Sequence, residues 1–320
     1  MADRRSVAVV AAGVLLATLC LEAASAEPLA IVAAVKGRVE VASAKGGSVA
    51  RATFGRGLER GDRVVVSSGG AASIFFNDGN VIELAEKSTI TIGGRASGKS
   101  RAGAPPGLPG EVYASVTRFV SGGSRETGLV ALSALRGGAD SSPLLIEPRR
   151  TGVLDLRPAF RWRAVEGATR YRLAVSGEQG ELWNREVGGT TLDYPPDAPA
   201  LAAGGDYLWE VRAFGDQGEL RREESYVRVL ATEDAAAVRA ALVRIGDSAG
   251  GANAPATRYL SGSYLSGRGL YCEAAAQFEA LSRLSPDAPA PHEALGNVYR
   301  AVGLMDLAAA EYQQALTLSR

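Results

Sequence analysis

Histidine and cysteine are almost missing from this sequence. Its 320 residues include one histidine, His292, and two cysteines, Cys20 and Cys272. A single imidazole excludes a metal site built from several histidines, and a relay of histidine general bases. Two cysteines allow one intramolecular disulfide, and none once a leader that carries Cys20 is removed. Cys272 then packs as a small apolar residue or forms a disulfide with another chain.

An excess of charge of one sign is also absent. Lys and Arg number 35 and Asp and Glu number 35, so the formal net charge is +0. A nucleic-acid-binding protein normally shows a basic footprint, and the overall balance gives none. The hydrophobic share of 46% and the charged share of 22% are typical of globular chains. The length predicts about two to four domains.

The N-terminus has the order of a secretory signal peptide. Arg4 and Arg5 precede an apolar run over residues 7–21, and Ala24-Ser25-Ala26 then offers a small-residue cleavage site. The run is shorter than the roughly 20 residues that a membrane-spanning helix needs. We therefore expect cleavage after residue 26 and export to the periplasm or another extracytoplasmic compartment. Two alternatives stay open, an anchor formed by residues 7–21 and lipidation at Cys20.

Residues 57–92 alternate apolar and polar side chains in three runs. Ala72, Ile74 and Phe76 share one face, and the pairs Ile82/Leu84 and Ile90/Ile92 repeat the pattern. A period of two predicts strands with one buried side. Asp78-Gly79 between the first two runs favours a tight hairpin. The stretch predicts a small antiparallel β domain.

The motifs of this stretch resemble those of FecR-type extracytoplasmic domains. The resemblance covers residues 29–94 and rests on a set of short patterns: G-x-V (Gly37, Val39), G-L-x-x-G-D-x-V (57–64), S-G-G-x-A (68–72), F-x-D-G (76–79), I-x-L (82–84) and S-x-I-x-I (88–92). FecR regulators carry a cytoplasmic tail that handles a sigma factor. Only about five residues precede the apolar run here, so we expect an extracytoplasmic module without that regulatory role.

Residues 93–100 match the P-loop pattern G-x-x-x-x-G-K-S. A working P-loop needs a helix next, and the following A-G-A-P-P-G-L-P-G run excludes one. We interpret residues 95–143 as a linker, with a short helix over residues 111–120 and an apolar stretch at 127–135.

Residues 144–231 contain short alternating runs separated by turn residues, which predict an antiparallel β-sandwich. The patterns P-x-F-x-W (158–162), G-A-x-x-Y-x-L-x-V (167–175) and L-x-x-G-x-x-Y-x-W-x-V-x-A (201–213) resemble a fibronectin type III or related immunoglobulin-like module. In this resemblance Tyr207 takes the place of the tyrosine-corner residue. We expect Trp162 and Trp209 in the core and Trp183 as the exposed aromatic.

Residues 232–320 change to a helical period, and two windows 34 residues apart align. Gly262 aligns with Gly296, Leu265 with Tyr299, Gly269 with Gly303, Ala274 with Ala308 and Phe278 with Tyr312. This resembles tetratricopeptide repeats, in which small residues let paired helices approach closely. A further helical run over residues 233–245 is expected to cap the array.

The end of the array suggests self-association. With the last helix at the end of the sequence, we expect Leu307, Tyr312 or Leu316 to be partly uncovered and to meet a partner or a second copy. The overall expectation is β then α: a signal peptide (1–26), a FecR-like domain (27–94), a linker (95–143), a fibronectin-like sandwich (144–231) and helical repeats (232–320).

The sequence favours a non-enzymatic envelope scaffold that binds a protein or peptide, without a cofactor. In tetratricopeptide arrays the first helix of each repeat lines the concave face, which implies contact residues Arg258, Ser261, His292, Asn297 and Arg300. We expect the paired changes Asn297→Ala and Arg300→Ala to weaken a partner at nearly constant melting temperature. The alternative is a glycan- or peptidoglycan-binding protein, with Trp183, Tyr194 and Tyr113 as candidate exposed aromatics.

Overall fold

The structure is a computed structural model that describes residues 28–46, 49–53, 56–76, 81–93, 96–97, 100–102, 142–249 and 251–318. The predictions for the signal peptide, for the helix at 111–120, for Tyr113 and for the Asp78-Gly79 turn lie outside these residues. Within them the order is β then α, as predicted. The sheets of the N-terminal part are followed by five helices. Among the described residues the strand pairs are antiparallel, apart from the parallel pair formed by Thr151–Val153 and Gly218–Val229.

The N-terminal β unit consists of two five-stranded sheets. The first has the order β10-β7-β6-β1-β4 and contains Ala30–Lys36 (β1), Gly57–Leu58 (β4), Ala71–Phe76 (β6), Val81–Leu84 (β7) and Ser100–Ala102 (β10). The second has the order β3-β2-β5-β8-β9 and contains Val39–Ala42 (β2), Ala50–Arg51 (β3), Arg63–Val66 (β5), Thr89–Thr91 (β8) and Ala96–Ser97 (β9). The predicted alternation is confirmed, since Ile74, Leu84 and Ile90 are buried in one core.

Strands β9 and β10 correct the boundary predicted at residue 94. They add one strand to each sheet and extend the β unit to residue 102. Such short strands carry too little alternation to be distinguished from a glycine-rich linker. Residues 100–102 also form a strand where a P-loop would continue as a helix, which agrees with rejecting the nucleotide site.

Residues 142–230 form a β-sandwich. One sheet has the order β11-β13-β16 and contains Leu145–Glu147 (β11), Phe160–Trp162 (β13) and Thr191–Leu192 (β16). The other has the order β12-β18-β17-β14-β15 and contains Thr151–Val153 (β12), Arg170–Gly177 (β14), Gly180–Val187 (β15), Asp206–Gly215 (β17) and Gly218–Val229 (β18). Trp162 and Trp209 are buried between the sheets, as predicted. The Tyr207 hydroxyl accepts a hydrogen bond from the backbone N–H of Ala202 at 2.7 Å.

The described residues after residue 231 form five helices, α1 (Thr232–Ser248), α2 (Pro255–Gly267), α3 (Tyr271–Leu284), α4 (Pro289–Ala301) and α5 (Met305–Leu318). Proline begins α2 and α4, where its missing N–H costs no helical bond. Two residues past the end of each helix lies a glycine with positive φ, Gly269 at +75° and Gly303 at +80°. The next residue then bonds back to the helix, Leu270 N–H to Leu265 O and Leu304 N–H to Tyr299 O. The same local chemistry thus recurs after 34 residues.

Helix α2 lies against strand β1 of the N-terminal unit. Along β1, Ala30 and Val32 belong to the core of the β unit, whereas Ile31 and Ala33 belong to the helical core. Phe75 on β6 joins the same helical core. Since successive strand residues point to opposite faces, this sheet has both faces buried at β1 and β6.

The sandwich meets the helices through strand β12. The N–H of Gly152 donates to Gly269 O at 3.0 Å, and the Thr151 hydroxyl donates to the same oxygen at 3.0 Å. The Thr151 hydroxyl also accepts from Tyr271 N–H at 2.9 Å, at the start of α3. Buried Arg149 donates from Nε to Val302 O at 3.0 Å and pairs with Glu223 at 2.5 Å. These bonds hold the helix ends against the sandwich edge.

No helix among the described residues is long and apolar enough to cross a membrane.

Candidate interaction surface

The residues predicted to contact a partner are divided between α2 and α4. Arg258 and Ser261 lie on α2, whereas His292, Asn297 and Arg300 lie on α4. The two helices differ sharply in burial. Most of α2 is buried from Ala256 to Ser266, because α3 and β1 both pack on it. Of these two helices, α4 therefore offers the face that is open along part of its length.

The two predicted residues on α2 are buried or hydrogen-bonded within the protein itself. Ser261 is 4% exposed, so it cannot contact a partner in this conformation, contrary to the prediction. Arg258 is half-buried and donates from Nη1 to Gln277 Oε1 at 2.8 Å and from Nη2 to Asn253 Oδ1 at 2.7 Å. The Arg258 side chain thereby ties α2 to α3. The sequence pattern placed both residues on a first helix but did not show that a β-sheet covers it.

On α4, the residues Glu293, Asn297 and Arg300 form what we call the α4 surface. Their spacing of four and three places them on one side of the helix. Glu293 is exposed, and Asn297 and Arg300 are half-buried. Sequence reasoning missed Glu293, although its spacing to Asn297 and Arg300 would have identified it. The α4 surface presents the carboxylate of Glu293 near the start of the helix and the guanidinium of Arg300 near its end.

Two predicted residues bond to α5. His292 Nδ1 lies 2.7 Å from Glu311 Oε2, and Asn297 Oδ1 accepts a hydrogen bond from the Tyr312 hydroxyl at 2.8 Å. Tyr312 is buried, so the Asn297 carbonyl satisfies a hydroxyl inside the helical core. The side chain of Asn297 therefore stabilises the hairpin, which the sequence did not predict.

A small cavity lies between the sandwich and helices α3 and α4. Its volume is about 20 Å³, enough for about one water molecule. Glu147, Arg161, Cys272 and Tyr299 are among its lining residues. Arg161 Nη2 lies 3.0 Å from Glu147 Oε2. The cavity is thus a small gap between the sandwich and the helices, with a mainly apolar lining, and it is too small for a substrate.

The charges around this cavity do not form a nucleophile and a base. Burial raises the pKa of the Cys272 thiol well above its ordinary value, and the neighbouring carboxylates of Glu147 and Glu273 add to this effect. Burial also raises the pKa of the Glu147 carboxyl, against the opposing effect of Arg161. Burial and the nearby Glu279 carboxylate raise the pKa of Tyr299 to about 12. A thiol that stays protonated is a poor nucleophile.

The aromatic side chains proposed for glycan stacking are buried. Trp183 is 8% exposed and donates from Nε1 to the Tyr194 hydroxyl at 2.8 Å, so its predicted exposure is wrong. Tyr194 is also buried and donates to Pro199 O at 2.7 Å. Trp183 does lie on an edge strand, but its pairing with Val175 turns it inward. Tyr226, on the outer face of β18, is the exposed aromatic of the sandwich.

Within the described residues, no three His, Cys, Asp or Glu side chains come together as a metal site.

Comparison with known proteins adds little to this picture. No family model matches the chain, and no curated protein matches it. Among solved structures, CopC from Methylosinus trichosporium OB3b aligns at 17% identity and a TM-score of 0.22, over 28% of this chain and 94% of CopC. The FN1-FN3 domains of chicken CNTN1 align at 12% identity and a TM-score of 0.20, over 63% and 57%. Scores this low carry no argument about fold or function.

Proposed function

We propose that this protein is a non-enzymatic scaffold of the bacterial cell envelope that binds a protein or peptide segment on the α4 surface. The observation that carries the proposal is the pair of stacked helical hairpins, in which the same close glycine–aromatic contact occurs twice. A side chain at Gly262 would meet Phe278 at 2.7 Å, and one at Gly296 would meet Tyr312 at 2.4 Å. This supports tetratricopeptide-type hairpins, whose first helices commonly hold extended peptides.

We propose that the two β units position the helical repeats in the cell envelope and do not themselves bind the partner. The motifs of residues 29–94 support a FecR-like domain, and the bond from Ala202 N–H to the Tyr207 hydroxyl supports a fibronectin-like sandwich with a tyrosine corner. The pattern of residues 1–26 supports export to the periplasm by a cleaved signal peptide, with an anchor as the alternative.

The α4 surface suggests the chemistry of the bound segment. Glu293 and Arg300 are seven residues apart, which corresponds to about 10.5 Å along a helix. An extended peptide with a basic side chain near Glu293 and an acidic one near Arg300 would complement this surface. No cofactor is part of the proposal.

A peptide selection tests the proposal. A random peptide library is displayed on phage and selected on the full chain, and selected peptides are titrated by fluorescence anisotropy. We expect paired charges in the selected peptides and at least a tenfold loss of affinity with Glu293→Lys. The matched control is Asp247→Lys, a charge reversal at an exposed position of α1. An equal loss with both variants would contradict the proposal.

The alternative is a glycan-binding protein that uses the sandwich. Burial of Trp183 and Tyr194 removes two of its three candidate residues, and Tyr226 is the observation that still favours it. Binding of peptidoglycan fragments that is abolished by Tyr226→Ser and unaffected by Glu293→Lys would favour this alternative.

A further inference from the structure

One sheet of the N-terminal unit, β3-β2-β5-β8-β9, carries arginines on its outer face. Val64 on β5 is buried in the core, so the preceding residue Arg63 points outward. Arg51 on β3 pairs with Glu40, the neighbour of buried Val41, and therefore points outward too. From the strand spacing and the register, the Cα atoms of Arg51 and Arg63 lie about 12 Å apart. Both side chains are exposed on the same side of the sheet.

Two further basic residues and one apolar residue lie at the end of this face. Arg60 is exposed in the turn before β5, and a Cβ atom built on Gly93 would lie 3.2 Å from its Nη1. The segment between β2 and β3 contains Lys45, whose side chain is 76% exposed, and Val49, which is 60% exposed. What we call the basic face consists of Lys45, Val49, Arg51, Arg60 and Arg63.

The acids on this side of the β unit already have partners within it. Glu40 accepts hydrogen bonds from Arg38, from Nε at 2.9 Å and from Nη2 at 2.7 Å. Glu59 lies 2.6 Å from Nζ of Lys45. Asp62 is 6% exposed, and its two carboxylate oxygens each accept a backbone N–H. These carboxylates therefore do not neutralise the arginines beside them.

The three arginines of the basic face form no ion pair with another described residue. The other described acids of the β unit, Glu83 and Glu86, lie on β7 of the other sheet and in the turn after it. The planar guanidinium of arginine binds phosphate and carboxylate groups in a bidentate manner. The basic face is thus complementary in charge to an anionic surface.

Two observations favour a membrane over a soluble acidic partner. The first is Val49, because an exposed apolar side chain among basic ones is the combination that binds at a lipid interface. The second is where the N-terminal leader joins the β unit. The N–H of Leu29 donates to Leu58 O at 2.9 Å, and Arg60 follows two residues later. The apolar run 7–21, which we expect to enter the membrane during export, therefore leads into the strand beside the basic face.

We propose that the basic face docks the protein on the anionic lipid headgroups of a membrane surface. Each basic residue close to such a surface strengthens binding about fivefold, so a few arginines give reversible binding that salt weakens. This surface would position the β unit, and with it the helical repeats, at the membrane. The inference rests on the charges of the β unit and not on peptide binding at the α4 surface.

Flotation with lipid vesicles tests the proposal on the chain from residue 27 onward, which is the form expected after cleavage and contains every described residue. Vesicles of phosphatidylcholine are compared with vesicles that also contain about 30% phosphatidylglycerol, an anionic lipid. We expect binding to the anionic vesicles alone, and weaker binding as the salt concentration rises. The triple variant Arg51→Glu, Arg60→Glu, Arg63→Glu should bind them at least about tenfold more weakly.

The matched control is the triple variant Arg185→Glu, Arg222→Glu, Arg244→Glu, which changes the net charge equally at exposed positions of the sandwich and of α1. It should bind the anionic vesicles nearly as well as the unmodified chain. Val49→Ser should weaken vesicle binding by a smaller factor than the first triple variant, because it removes only an apolar contact. Circular dichroism melts show whether each variant is folded, and glutamine in place of glutamate at the three arginines gives a milder variant with the same expected direction.

Three results would overturn the proposal: no binding to anionic vesicles, equal binding to neutral vesicles, or an equal loss with the control variant. Binding of soluble polyglutamate without binding to vesicles would assign the basic face to an acidic protein and would also overturn it. Peptide binding at the α4 surface should be the same in the unmodified chain and in the first triple variant. Failure of the membrane proposal is therefore distinguishable from failure of the peptide-binding proposal.

Discussion

The ring of Tyr312 occupies the space that a side chain at Gly296 would need. A Cβ atom built on Gly296 would lie 2.4 Å from Cε1 of Tyr312, well inside van der Waals contact. Helices α4 and α5 can approach this closely only because position 296 carries no side chain. The same relationship joins Gly262 to Phe278 in the preceding hairpin.

Replacing Gly296 by alanine should therefore destabilise the protein despite the higher helix propensity of alanine. Overpacking costs about 1–3 kcal/mol, which exceeds the roughly 1 kcal/mol gained in propensity. Chemical denaturation gives the free energy of unfolding. The control is Gly246→Ala on α1, where the nearest atoms to a new Cβ lie 3.8 Å away. That change should stabilise, and a stabilising Gly296→Ala would refute the close approach.

Asn297 should matter for stability, in contrast to the sequence-based expectation of a nearly unchanged melting temperature. Asn297→Ala leaves the buried Tyr312 hydroxyl without its acceptor, at a cost of about 1–3 kcal/mol. Tyr312→Phe removes the hydroxyl instead and should cost less. The double variant should be no less stable than Asn297→Ala alone. Additive effects in this double-mutant cycle would mean that the hydrogen bond contributes nothing.

The buried carboxyls of Glu147 and Glu273, where the sandwich meets helix α3, predict that the stability of the protein depends on pH. Burial raises the pKa of Glu147 and of Glu273 above the ordinary 4.5. The folded protein thus holds these protons more tightly than the unfolded chain. The stability that the two protonated carboxyls contribute is fully present below pH 4.5. It is lost as the pH rises through the pKa values of the folded protein.

Glu147→Gln should consequently gain melting temperature relative to the unmodified protein as the pH rises from about 4.5 to about 7.5. At the acidic end the two proteins should melt alike, since the carboxyl is then neutral in both. Glu224→Gln, at an exposed position of β18, serves as the control. A constant difference between Glu147→Gln and the unmodified protein over this range would show that Glu147 does not titrate abnormally.

The sequence predicted what is encoded locally and missed what depends on distant packing. The alternation around Ile74 and Ile90 identified the strands, and the 34-residue spacing of Gly262 and Gly296 identified the paired helices. Helix α2, which carries the buried Ser261, packs on strand β1 more than 200 residues earlier in the chain, and no local pattern encodes this contact. We predicted Trp183 to be exposed because it lies on an edge strand. An edge strand still has one face toward the core, and the pairing of Trp183 with buried Val175 places Trp183 on that face.

The sequence also did not predict the contacts between the sandwich and the helix ends. Thr151 and Arg149 are ordinary residues in the sequence, and only the fold brings them to Gly269 and Val302. Truncation after Ala231 would uncover Ile31 and Phe75 together with this junction. Point variants of the full chain are therefore better probes of function than a truncated protein.

The most direct test of the account is crosslinking in the native envelope from single positions of the full chain. A photo-reactive amino acid is placed at Ala301, an exposed position next to Arg300 on α4, at Val243 on α1 and at Tyr226 on the sandwich, and the products are identified by mass spectrometry. The account predicts a specific protein partner from position 301 that is absent from position 243 and weak from position 226. Partners or cell-wall fragments captured from position 226, with none from position 301, would contradict it.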